Sequence, residues 1–274
     1  MNLIKVPMIL SLSLLISGCF ENNRDTDKLC ADNPNLRCER LNINDGQCRV
    51  PRTDLIWHRF EVLKNPSDSN KIKEYGLVQA YRKCLELASQ IQAIDQTELK
   101  QRRFSALVNT GKDLEQIEKE LQSSSSAETL YFLWSQIGDK SAQRKFLQRE
   151  GKPELDTAEM QYALATFYVQ RDREKAIYLL HRTLELSPKG SINLDAIKSL
   201  ASTNQILKQK EKAYIWAMVG KTFNVPVASE TELKLLYGFD QEKFDALDDI
   251  AEKIVDAIKN GQFKPELIPL DFAN

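Results

Sequence analysis

Three stretches of the chain repeat one another, and that repetition restricts the fold more than any other feature. They read TLYFLWSQIGDKSAQRKFL, ALATFYVQRDREKAIYLLHRTLELSP and SLASTNQILKQKEKAYIWAMVGKTFNVP. Leu130, Leu164 and Leu200 recur at steps of 34 and 36, and Ala142, Ala176 and Ala213 at steps of 34 and 37. Each stretch splits into two segments whose apolar residues fall three and four apart, so each is expected to be a pair of helices. Such a pair cannot bury its apolar face alone, and stacking on neighbouring pairs completes the core. The recurring alanine has a mechanical reason: where a second helix is gripped between two first helices, only a small side chain permits close approach. No strand-like alternation competes outside GQCRV at 46–50, and only 10 glycines and 9 prolines are spread over 274 residues. The expected fold class is all-α.

LATFY followed by EKAIYLLHRTLELSP resembles the tetratricopeptide consensus, and KAYIWAMVG resembles its longer SEL-type variant. The resemblance covers about 126–226 and implies a right-handed helical repeat array whose first helices line a concave groove. Counted from the aligned leucines, that groove is expected to carry Phe132, Tyr162, Thr166, Lys198 and Gln205. The array is placed at 96–228, with capping helices and a two-proline tail at 229–274. Upstream, Thr53 or Asp54 is expected to cap a helix to Lys64 with Trp57, Phe60 and Leu63 on one face. A long helix follows, with Ile72, Tyr75, Val78, Tyr81, Leu85, Ala88 and Ile91 as its stripe. Gly111 is expected to end the next helix. Ser123–Ser126 should lead into another, and Ser229 with Glu232 has capping-box spacing.

The beginning of the chain suggests a compartment. Lys5 precedes an apolar run, VPMILSLSLLI, too short to span a bilayer, and the pattern is that of a secretory signal peptide. Its end, LISGC at 15–19, resembles the lipobox of bacterial lipoproteins. That resemblance implies removal of 1–18, lipidation of Cys19, and anchoring by several acyl chains through a tether at 19–29. Phe20, rather than Asp, follows the cysteine, which by the sorting rule of enterobacterial lipoproteins implies the outer membrane, facing the periplasm.

Four cysteines remain: Cys30, Cys38, Cys48 and Cys84. An even set in an oxidising compartment points to two disulfides stapling a segment at 30–95. Four cysteines allow three connectivities. Cys30 with Cys38 and Cys48 with Cys84 is preferred, because DNPNLRC reads as a helical turn opened by Pro34. Neither zinc-knuckle nor thioredoxin-like spacing is present.

Charge and motifs narrow the function classes. Lys plus Arg is 38 against 39 for Asp plus Glu, a balance unlike that of nucleic-acid binders. His58 and His181 are the whole histidine complement, and no nucleophile-elbow, zinc-protease, P-loop or dinucleotide motif occurs. The dense segment CRVPRTDLIWHRFE is expected to be a helix start with His58 and Arg59 facing solvent, and His181 is expected on a polar face. No catalytic residue, metal or cofactor is expected. The leading function is a scaffold or adaptor for an envelope protein or peptide. The alternatives are a peptidoglycan-related enzyme or enzyme regulator, and a structural lipoprotein without a specific ligand. Through GCF, NPNLRCERLNINDGQCRVPRTDLIWHRFE and CLELASQI, the chain also resembles an uncharacterised family of lipoproteins from marine and related gammaproteobacteria.

Overall fold

The structure is a computed structural model that describes residues 25–91 and 97–269. Residues 1–24, with Cys19, the signal peptide and the lipobox, lie outside the described residues. Among the described residues there are helices and no strands, so GQCRV is not a strand. They fall into two compact units, 25–66 with 73–114, and 67–72 with 115–269.

The first unit holds α1 (Thr26–Asp32), α2 (Arg49–Lys64), and most of α3 (Asp68–Ala88) and α4 (Thr97–Leu121). Both disulfides lie here, paired as preferred: Cys30 with Cys38, and Cys48 with Cys84. Pro34 opens the short helical turn Pro34–Leu36 between the first two cysteines. The α3 stripe is buried at Tyr75, Val78, Tyr81, Leu85 and Ala88, while Ile91 is exposed.

Helix α2 departs from expectation. It begins at Arg49, not at Thr53, because Cys48 takes a left-handed conformation (φ 59°) and turns the chain into the helix without a side-chain cap. Pro51 fits this early start, since first-turn N–H groups have no helical partner. The buried face is Arg52, Leu55, Ile56 and Arg59, at helical steps, with His58 beside it. His58 and Arg59 are therefore interior rather than solvent-facing, and Leu63 is 48% exposed. Gly111 also differs: α4 runs through it unbroken, and an added Cβ would lie 3.3 Å from Arg82 Nη1.

Arg59 is held inside by carboxylates, and a second buried pair stands beside it. Arg59 donates from Nε to Glu74 Oε1 (3.0 Å) and from Nη2 to Asp113 Oδ2 (2.6 Å), while Arg40 Nη2 lies 2.9 Å from Asp113 Oδ1. Arg103 grips both oxygens of Asp45, at 2.5 and 2.9 Å. These hydrogen bonds outweigh burial and hold the Asp45 carboxyl down at about 2. Asn42 links the groups: the buried Tyr81 hydroxyl donates to its Oδ1 at 2.5 Å, and its own Nδ2 donates to Asp45 Oδ2 at 3.2 Å. Burial pushes the Tyr81 hydroxyl up to about 12.

The second unit is built from helix pairs. Ser126 caps α5 (Ala127–Phe132), which continues as a π-turn (Leu133–Ile137) to Gly138 and is paired with α6 (Lys140–Leu147). Then α7 (Ala158–Tyr168) packs on α8 (Arg173–Leu186), and α9 (Leu194–Ile206) on α10 (Lys210–Thr222). Short connections make each pair a helix hairpin. Ala142, Ala176 and Ala213 are all buried, as their packing role requires. Next come α11 (Glu230–Tyr237), whose Ser229–Glu232 capping box is formed, and α12 (Gln241–Asn260), which lies on α10.

The repeats align differently from the leucine count. The caps Ser126, Thr157 and Asn193 each bond a backbone N–H three residues on, and they fix the true register. Seven residues past each cap stand Leu133, Leu164 and Leu200, all buried. Leu130 is buried too, but one turn earlier. Residues three apart share a helix face, so periodicity alone cannot separate them.

His181, expected on a polar face, packs instead against Trp216 and Phe263, with ring centroids at 5.7 and 5.9 Å. Its Nε2 is buried without a hydrogen-bond partner. Burial, with Lys212 nearby, pushes its pKa down to about 4 from the usual 6.5. Between these values the unfolded chain binds the proton and the folded chain does not, so stability is lost as pH falls from 6.5 towards 4. The loss is expected to reach about 2–3 kcal/mol. Urea titrations at several pH values should show that His181→Phe flattens this slope. An unchanged slope would assign the loss to other groups.

Candidate interaction surface

The cap register brings three rows of residues onto one face of the first helices in each pair. Two residues past the caps stand Glu128, Glu159 and Asp195; five past, Tyr131, Tyr162 and Lys198; nine past, Ser135, Thr166 and Ser202. The hydroxyl row is exposed throughout, and both tyrosines are half-buried. The acids also suit the helix N-termini they occupy.

Electrostatics shows that the rows adjoin. The Tyr162 hydroxyl is pushed up by burial first, then by the charge of Asp195 and by Tyr131. Tyr131 is raised by burial, opposed by a hydrogen bond with Thr166, and also feels Glu159. Thr166 Oγ1 donates to Ala163 O at 2.8 Å, and Lys198 pairs with Asp195 at 3.0 Å.

From Tyr131 an aromatic chain runs across the first two pairs. Trp134 lies edge-on to Tyr131 and to Phe167, both at 5.8 Å, and Phe167 is 5.0 Å from Tyr168. Trp134, Phe167 and Tyr168 are each only partly buried. Arg171 sits 4.1 Å over Phe167 and Lys175 3.9 Å over Tyr168, and both Tyr168 Oη and Lys175 Nζ lie 2.6 Å from Glu150. Aromatic surface beside adaptable hydroxyls is what a peptide-binding face needs: area held at small entropy loss, with hydrogen bonds that tolerate several sequences.

Of the expected groove residues, Tyr162 and Thr166 stand together on this face. Lys198 occupies the equivalent position on α9, and Gln205 is exposed near the end of that helix. Phe132 is buried: it stands six residues past its cap, as the buried Ala163 does, and the leucine count runs one turn out of register there. The residue at the groove phase is its neighbour, Tyr131. The caps Ser126, Thr157 and Asn193 were the sequence signal that would have found Tyr131 and the serine row. Among the described residues no group of three or more His, Cys, Asp and Glu side chains could hold a metal ion.

An all-helical chain with a twice-disulfided N-terminal unit and a row of helix hairpins is the class these features define. The chain matches the family model described as "Protein of unknown function (DUF2989)" over residues 16–218, and it belongs to that family. No curated protein and no solved structure matches it.

Proposed function

We propose that the protein is a scaffold or adaptor of the bacterial envelope, held to the outer membrane by lipid on Cys19 and binding a protein or peptide on the face of α5, α7 and α9. The observation that carries this reading is the alignment of Tyr131 with Tyr162, and of Ser135 with Thr166 and Ser202, at equivalent positions of successive hairpins. We read the hairpins as tetratricopeptide-type repeats, which present such rows on a continuous surface. The lipobox-like LISGC supports the anchor, and two disulfides suit an oxidising compartment. No helix among the described residues is long and apolar enough to cross a membrane.

In-cell photo-crosslinking tests the face. Crosslinkers at Thr166 and at Ser202 are expected to capture the same protein, and a crosslinker at Tyr178, exposed on α8, is expected not to. Tyr162→Ala should reduce the capture at least about fivefold, the effect of one moderate interface contact. Capture from Tyr178 alone, or none that repeats, would refute the adaptor reading.

A further inference from the structure

A second feature lies in the first unit and is independent of the helix face. An open cleft of about 630 Å³ is bounded by Asp25, Thr26 and Asp27 at the start of α1, by Arg49, Arg52 and Thr53 at the start of α2, and by the loop 43–46, whose Asp45 is held by Arg103. Trp57 Nε1 donates to Thr26 Oγ1 at 3.2 Å and ties α1 to α2.

Arg52 is 9% exposed, yet it differs from the buried arginines around it. Arg59 and Arg103 each hold carboxylates at hydrogen-bond distance. The hydrogen bonds of the Arg52 side chain all leave from Nη1 and reach neutral oxygens: Asn42 O (2.6 Å), Asn42 Oδ1 (3.1 Å), Asp45 O (2.9 Å) and Gln47 O (3.5 Å). The guanidinium is thus fixed in place at the cleft, and its Nε and Nη2 make no hydrogen bond among the described residues. Among the described residues it meets no carboxylate as a counter-ion, because Asp45 is already taken by Arg103. A buried charge without a counter-ion is unfavourable unless a ligand supplies one. Arg49, exposed beside it, makes no ion pair among the described residues, and α2 begins with neither a side-chain cap nor an acid in its first turn. On the other wall, Asp27 is exposed and makes no ion pair among the described residues, and among them Asp25 accepts from Lys28 N. The cleft thus has a cationic wall and an anionic wall.

We propose that this cleft binds a small zwitterion, from a free α-amino acid to a dipeptide in size. Its carboxylate meets Arg52 and Arg49, and its ammonium faces Asp27 and Asp25. A fork of guanidinium donors suits a planar carboxylate. The two aspartates select against multiply charged anions such as phosphate, so selectivity comes from repulsion as well as attraction. The volume lies in the range of small-molecule sites.

The test uses the full chain in detergent, with calorimetry and thermal shift. Alanyl-alanine is the probe, and N-acetylalanine, alaninamide and inorganic phosphate are the comparisons. Alanyl-alanine is expected to bind at least about tenfold more tightly than the compounds lacking amine or carboxylate. Arg49→Gln, at an exposed position, should weaken it about tenfold. Asp27→Asn should bring N-acetylalanine close to alanyl-alanine. The proposal fails if alanyl-alanine does not bind at about 10 mM. It fails equally if N-acetylalanine or phosphate binds the unaltered protein as well, or if Arg49→Gln changes nothing.

Discussion

Arg59→Met is expected to lower the stability of the first unit by about 3–5 kcal/mol, since removing one member of a buried ion cluster strands the others. Arg59 carries two of the cluster's contacts, to Glu74 and to Asp113, and its side chain is only 6% exposed. Without it, Asp113 keeps only Arg40, and Glu74 loses its ion-pair partner. Methionine fills most of the volume, so the loss would report charge rather than a cavity. Urea unfolding measures it, with Lys64→Met as control. The Lys64–Glu61 pair is about half exposed on each side, and losing it should change stability by less than about 1 kcal/mol. Equal effects from the two variants would show that the buried cluster contributes no more than a surface pair. Replacing Arg59 and Glu74 together by Met and Gln should recover part of the loss, because Asp113 keeps Arg40 and no buried charge is then stranded.

Removing the Cys48–Cys84 disulfide is expected to cost about 4 kcal/mol, against about 2.5 kcal/mol for Cys30–Cys38. The difference follows from sequence separations of 36 and 8: the longer loop denies the unfolded chain more conformations. The two pairs of Cys→Ser changes, compared by denaturant unfolding, check the order. The longer bridge has a second task, since Cys48 is the left-handed residue from which α2 starts. A smaller loss for Cys48–Cys84 than for Cys30–Cys38 would mean that the entropic account fails in this unit.

The features legible in the sequence were those that a side chain announces. Ser126, Ser229 and Glu232 mark helix starts by chemistry that acts within four residues, and each start is where it was expected. Pro34 marked the turn between Cys30 and Cys38. The α3 stripe was legible because its core positions are apolar. Helix α2 was legible to its end at Lys64 but not in its start or its buried face, for two physical reasons. Its start depends on a backbone angle at Cys48, which no side chain signals, and two of its core positions are filled by Arg52 and Arg59. Charges held in a core look like surface in a hydrophobicity pattern. On the helix face, Tyr162 and Thr166 stand where the leucine count puts them, and Tyr131 stands where that count puts Phe132. Leu130 and Leu133 lie on the same side of one helix, and only the cap distinguishes them.

The end of the chain matters for how the protein keeps to itself. Helix α12 covers α10, with Tyr214 against Phe244 at 5.0 Å, and beyond the helix Phe263 lies against Trp216 at 5.8 Å. Gly261, at φ +66°, sits so near the Lys189 backbone that a Cβ there would approach to 2.6 Å, and Lys264 pairs with Glu185 at 2.6 Å. A stack of hairpins always has a last member whose far side is as adhesive as its buried side. Here that side of α10 is covered by α12, and 261–264 fold back against Lys189 and Glu185, so the far face of this hairpin is buried within the described residues.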